Sequence, residues 1–277
     1  MPYKAVIFDM GGVLMSYAKM PYIVKFYELA KNDAVASKAW IDLEKGITTV
    51  KDNNDIFASL LDNYPELKEE VQKGMTSSCI LSIFDNMVED PNFAVAVPNI
   101  RKAGFRTAIL TNNAFRDEQR KRSVKLEKAI EMHDAVVESC REGIRKPEKE
   151  IYLLAASRLN VEPKECVFLD DLQENCDGAR AVGMTAIQEY GNDSLSAIRE
   201  LEKWLIFGSF LIVLLCCSSL VACYVCRLLK ISLRRPIHTD SEIVFQNAGP
   251  VRAFPYPHAQ RAYYADSAAY DHRYKHY

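Results

Sequence analysis

Apolar residues recur along this chain in two ways, and each marks one kind of element. Short apolar stretches within 5–8, 105–111, 135–138, 167–170 and 185–188 read as buried strands of a parallel sheet. Between them lie stretches with helical periodicity, at 92–103, 118–131, 148–159, 174–182 and 194–203. This alternation predicts an α/β fold, a Rossmann-like parallel sheet covered on both faces. The interval after the first strand breaks the pattern. No strand signal returns before about residue 87, and 20–34, 36–44, 53–63 and 66–74 read instead as helices. Residues 16–87 are therefore predicted to be a helical insertion into a core made of 1–15 and 88–203. Connections of that length are usually functional, and a plain helical extension is the alternative.

The last third has a different texture. Residues 204–226 carry no charge over 23 positions, and Trp204 and Tyr224 stand near the two ends. Such a stretch predicts a transmembrane helix, with a buried core helix as the alternative. Arg227, Lys230, Arg234 and Arg235 follow it, while only Arg199 and Lys203 closely precede it. The positive-inside tendency alone would place the C-terminal side in the cytosol. The apolar run before Asp9, however, is only four residues long and is no signal peptide. The adopted expectation is a single-pass membrane protein with its α/β domain in the cytosol. The conflict also raises a tail joined by fusion or by a gene-model error.

Residues 227–277 hold eight Lys/Arg against four Asp/Glu, four of the five histidines, and no helical or strand period. They read as a basic juxtamembrane segment, able to touch anionic lipid, followed by a disordered Tyr/His-rich tail. Phe254-Pro-Tyr-Pro257 is a candidate site for a tail-binding protein. The net charge of −2 gives no case for nucleic-acid binding. Eight cysteines show no metal-site spacing; Cys166 reads as core, and Cys223 with Cys226 suits palmitoylation better than redox chemistry.

Candidate chemistry gathers at the strand ends. The first strand ends in Asp9, followed by Gly11 and Gly12, which allow a sharp turn and a close backbone approach. A carboxylate at the C-terminal end of a parallel strand can be a nucleophile, a metal ligand or both; a loop Asp after a core strand is the plain alternative. The second strand ends in Thr111 and Asn112, whose hydroxyl and backbone N–H can bind phosphate oxygens. Lys146 lies just before Pro147, which can open a helix, and another apolar strand ends in Asp170 and Asp171.

The ordered motifs Val6-Ile-Phe-Asp-Met-Gly-Gly-Val-Leu14, Leu110-Thr-Asn-Asn113, Glu138-Ser-Cys-Arg-Glu-Gly-Ile-Arg-Lys-Pro147 and Val167-Phe-Leu-Asp-Asp-Leu172 resemble the haloacid dehalogenase superfamily of phosphohydrolases. The branch is that of the N-terminal phosphatase domain of soluble epoxide hydrolase and the matching domain of an acyl-CoA dehydrogenase relative. The resemblance covers residues 3 to about 203. It implies a C1-type cap for the insertion and a small phosphorylated metabolite as substrate. It implies Asp9 as nucleophile, Thr111 and Asn112 as phosphate binders, and Lys146 as the neutralising cation. It implies Mg²⁺ held by Asp9, Asp171 and the carbonyl of Gly11, with Asp170 in support. One position departs from the family pattern: Gly11 stands where a second Asp usually serves as general acid and base. Such a group is typically worth about 10²–10⁴-fold in rate. A membrane-anchored phosphatase is therefore expected, favouring good leaving groups such as sugar-1-phosphates or acyl phosphates. A binding or scaffold domain that lost turnover is the rival. Carbon–halogen hydrolysis, which uses an Asp nucleophile without a metal, is disfavoured by the Asp170–Asp171 pair.

Overall fold

The computed structural model describes residues 3–124, 132–190 and 193–216. Five parallel strands, β1 (Ala5–Phe8), β4 (Arg106–Thr111), β5 (Ala135–Glu138), β6 (Cys166–Asp170) and β7 (Thr185–Gln188), form a sheet in the order β5-β4-β1-β6-β7. The first strand is thus central. The chain builds outward on one side through β4 and β5, then crosses to the other side for β6 and β7. Such a reversal opens a crevice at the C-terminal ends of the two strands that flank it, here β1 and β6.

Period-two alternation sorts the strand side chains into two apolar clusters. Ala5, Ile7, Ala108, Leu110, Cys166 and Phe168 pack with Ile151, Tyr152, Ala155 and Ala179. The latter four come from helices α7 (Lys149–Arg158) and α8 (Gln173–Ala181). A single helical turn, α6 (Ser139–Glu142), comes between β5 and α7. Val6, Phe8, Ile109, Val167, Leu169 and Ile187 face the other way, towards α5 (Pro91–Lys102) and α9 (Ser194–Cys216). The helical insertion joins this second cluster.

Four helices make up most of the insertion: α1 (Ile23–Asn32), α2 (Ala34–Glu44), α3 (Asn54–Asp62) and α4 (Pro65–Gly74). A 3₁₀ segment, Ile80–Asn86, follows them. Trp40 meets Phe26, Tyr27, Phe57 and Phe84 edge to face, the arrangement that ring quadrupoles favour. Three local expectations need correction. The first predicted helix stops at Asn32, because the Asp33 side chain accepts from the N–H groups of Val35 and Ala36 and so starts α2. A short ribbon, β2 (Met15–Ser16) paired with β3 (Val88–Glu89), closes the stem of the insertion where no strand was expected. Two residues are too few to show a period. The first part of the helix predicted over 118–131 is a loop instead. Asp117 accepts from the backbone N–H groups of Lys121 and Arg122, and Phe115 bridges Ser123. Residues 125–131 lie outside the described part.

The boundary drawn at residue 204 also moves. Helix α9 runs unbroken through it to Cys216, and Leu201 and Leu205 are buried against the sheet cluster. Trp204 meets Tyr3 edge to face at 6.2 Å between ring centroids. The start of the charge-free stretch therefore belongs to the α/β domain. Among the described residues no helix is long and apolar enough to cross a membrane. The rest of the predicted span from residue 217, and the basic tail 227–277, lie outside the described residues.

Leu205 separates the two uses of that stretch. As a core residue its replacement by Ala should destabilise the α/β domain by about 2–4 kcal/mol, read as a lower urea midpoint. An unchanged midpoint would return Leu205 to the membrane segment.

Candidate active site

Strand register creates the site. Phe8 lies level with Leu169, and the Asp9 N–H donates to the Leu169 carbonyl at 2.8 Å. Asp9 and Asp170 are therefore neighbours at the same height on adjacent parallel strands. Both continue the side of the sheet covered by α7 and α8. Lys146 precedes α7 and reaches back between them. Its Nζ lies 2.9 Å from Asp9 Oδ1 and 2.6 Å from Asp170 Oδ2, and all three residues are buried.

Each charged group is fixed by further bonds. Asp170 Oδ1 accepts from the Leu172 N–H and from Asn175 Nδ2, both at 2.9 Å. Asp9 Oδ1 accepts from the Met10 N–H at 2.6 Å. The Lys146 backbone is clasped by the Asn112 side chain: its N–H donates to Oδ1 at 2.9 Å, and its carbonyl accepts from Nδ2 at 3.1 Å. Asn112 thus spends its side-chain amide on holding the lysine. Thr111 ends β4 beside β1 and is buried.

Asp171 completes an acidic cluster. Asp9, Asp170 and Asp171 each offer a carboxylate oxygen, and these atoms all lie within 4.8 Å of one another. Gly12, at φ +79°, gives Asp171 room, since a Cβ there would overlap the carboxylate and sit 3.0 Å from Asp171 Cβ. One ammonium cannot balance three carboxylates. Burial pushes the Asp9 carboxyl up to about 7 against the downward pull of Lys146, and Asp170 adds to the rise. Asp171 is also pushed well up, first by burial and then by Asp170 and Asp9. Burial alone would lower Lys146, but Asp170 and Asp9 hold it above its ordinary value. Oxygen-only donors with surplus negative charge are what a hard divalent cation requires.

Sequence reasoning missed three residues around this cluster. Tyr17, just beyond β2, turns its hydroxyl into the space beside Gly11; a Cβ on Gly11 would overlap that oxygen and lie 3.1 Å from Tyr17 Cζ. Its phenol is pushed well above its usual value by burial and by Asp171, Asp9 and Asp170. Glu44, at the end of α2, pairs with Arg145 and accepts from Trp40 Nε1 at 2.9 Å and from Asn112 Nδ2 at 3.4 Å. This links the insertion to the loop that carries Lys146. Arg145 stood in the lysine motif, but nothing in the sequence pairs it with Glu44, a hundred and one residues away. The Cys140 thiol is buried and pushed up to about 12 by that burial and by Glu138, so it is no nucleophile at neutral pH.

Comparison with known proteins agrees with the motifs. A family model described as haloacid dehalogenase-like hydrolase matches residues 3–183. The chain is 33% identical over 224 residues to acyl-CoA dehydrogenase family member 10 of Mus musculus, covering 74% of this chain and 19% of that protein. It is 30% identical over 224 residues to bifunctional epoxide hydrolase 2 of Sus scrofa, covering 73% and 39%. It is 28% identical over 206 residues to the sesquiterpene phosphatase astK of Aspergillus oryzae, covering 73% and 96%. The chain thus spans well under half the length of the first two relatives.

The Asp9 shift sets a pH dependence. A carboxyl at about 7 in the folded state and near 3.8 when unfolded leaves the folded state with more protons bound between those values. Stability therefore falls as pH rises through that window. Asp9→Asn removes the loss. Thermal unfolding in EDTA should show variant and wild type alike near pH 4. At pH 8 the variant should be the more stable, on the order of 1–3 kcal/mol. A variant no more stable at pH 8 would refute the account of Asp9.

Proposed function

The chain belongs to the haloacid dehalogenase-like hydrolases, whose model matches residues 3–183, and on that premise we propose that it is a Mg²⁺-dependent phosphatase acting on a small phosphomonoester. The observation that carries this reading is the buried Lys146 set between Asp9 and Asp170, with Asp171 beside them. The relative named as a sesquiterpene phosphatase, matched over nearly its whole length, supports the phosphatase reaction.

In the proposed mechanism an Asp9 carboxylate oxygen attacks phosphorus, the leaving oxygen departs, and water then cleaves the aspartyl-phosphate. Lys146 holds Asp9 in position and offsets charge on the phosphoryl oxygens; as a point charge it needs no bidentate geometry. The Thr111 hydroxyl and the Asn112 N–H, at the end of β4, would bind those oxygens. Asp9, Asp171 and the Gly11 carbonyl would hold Mg²⁺, supported by Asp170. When bound, the ion supplies charge neutralisation between a dianionic phosphate and the nucleophile. The Glu44–Arg145 pair joins the insertion to the loop that carries Lys146, which supports a role for the insertion in selecting substrate.

A second reading is a binding or scaffold domain with impaired turnover, favoured by the missing side chain at Gly11. The proposal extends to attachment at a membrane through the charge-free stretch, with the α/β domain in the cytosol. The burial of Leu205 restricts such an anchor to residues beyond it.

Phosphate release should be measured with Mg²⁺ across phosphomonoesters and acyl phosphates. Wild-type turnover should disappear with Asp9→Asn and with EDTA, and Lys146→Ala should reduce it by about 10³-fold or more. A folded, Mg²⁺-binding protein without turnover on any substrate would support the scaffold reading instead.

A further inference from the structure

Resting on the phosphatase reading, we propose that Tyr17 replaces only half of the acid–base group absent at position 11, so that the aspartyl-phosphate accumulates during turnover.

The argument begins with space. A side chain on Gly11 would project into the volume that the Tyr17 hydroxyl occupies. The hydroxyl therefore occupies the place of a Cβ on residue 11, in the turn that follows Asp9, and Asp171, Asp9 and Asp170 are all near enough to act on it electrostatically. The reach comes from a different residue, six positions on, carried over by the turn that ends in β2.

Chemistry then divides the two half-reactions. In the first, a bond forms between Asp9 oxygen and phosphorus while the bond from phosphorus to the leaving oxygen breaks. The electron pair stays on the leaving oxygen. A neutral phenol can donate a hydrogen bond to that oxygen and offset the growing charge; the departing group completes its protonation from water. In the second half, water attacks the aspartyl-phosphate, and its proton must go to a base. A carboxylate can accept it. A neutral phenol has one proton to give and lone pairs too weakly basic to take another. The first half is served and the second is not.

The chain of 277 residues, with Mg²⁺, is mixed with p-nitrophenyl phosphate or phenyl phosphate in a rapid-quench apparatus. A burst of phenol equal to the enzyme present, followed by slower turnover, is expected, together with acid-stable phosphate on Asp9. Tyr17→Phe should slow the burst about 10²-fold with phenyl phosphate. With p-nitrophenyl phosphate, whose leaving group needs little help, the loss should be several-fold smaller. Equal losses with both, or none, would leave Tyr17 a packing residue and overturn the proposal. A wild type that turns over without a burst would overturn it too.

Folding gives a separate check. Gly11→Asp alone should lower thermal stability, because the new side chain meets Tyr17. Gly11→Asp with Tyr17→Ala should recover the part of that stability lost to the clash with Tyr17 and lose the burst, since a carboxylate now activates the water. A single variant as stable as wild type would show that Tyr17 does not fill the site. Absence of both phosphate release and phosphoenzyme with either donor would overturn the phosphatase reading itself, whereas turnover without phosphoenzyme, or phosphoenzyme insensitive to Tyr17→Phe, overturns only the inference.

Discussion

One buried ammonium organises this molecule. Lys146 is 1% exposed and bonded to two carboxylates from neighbouring strands. Removing both partners would strand that charge in low dielectric, typically at a cost of about 3–5 kcal/mol. The surrounding structure is accordingly built to keep the group satisfied. Asn112 clasps the lysine backbone, Leu172 and Asn175 orient Asp170, and the Phe168 ring lies 5.6 Å from Nζ on the same face. The loop before α7 cannot move without breaking this set, so sheet and loop are locked together at the site.

That lock leaves the site overcharged. Three carboxylates share one cation, and burial raises Asp9 and Asp171 above their ordinary range. Stability and chemistry pull in opposite directions here. A protein selected only for stability would replace one carboxylate with a neutral group. Retaining all three keeps a strong oxygen donor set and, on the proposed mechanism, a nucleophile whose charge is only partly quenched. This is the electrostatic tension expected where a divalent ion and a phosphate dianion are meant to meet.

Local pattern makes most of the core legible in the sequence. Most of the strands centre on a short apolar run, and the terminal residues Asp9, Thr111, Asp170 and Asp171 are readable because a polar residue ends the run abruptly. Lys146 is readable from its motif. What escapes is long-range or too short for a period. The β2–β3 ribbon has two residues on each side. Glu44 and Arg145 meet only through the fold of the insertion. Residues 118–124 look helical in composition, but the Asp117 side chain competes for backbone N–H groups and wins a turn. At α9 the charge-free stretch conceals two uses, because Leu205 packs on the sheet while a hydropathy pattern weighs every apolar residue alike.

The exchange at position 11 follows from the same electrostatics. An Asp there would bring a fourth carboxylate to a cluster already short of positive charge. Its burial would raise every neighbouring pKa further, and the cost would fall on the metal-free protein. A tyrosine hydroxyl entering from just beyond β2 fills that volume with a neutral group and keeps a proton donor beside Gly11. The gain is a less frustrated resting site. On the mechanism proposed above, the loss is a base, and it falls on the hydrolytic half of the reaction. Viewed this way, Gly11 is one side of a two-residue exchange whose other member is Tyr17, and a change at either position has meaning only with the other held in view.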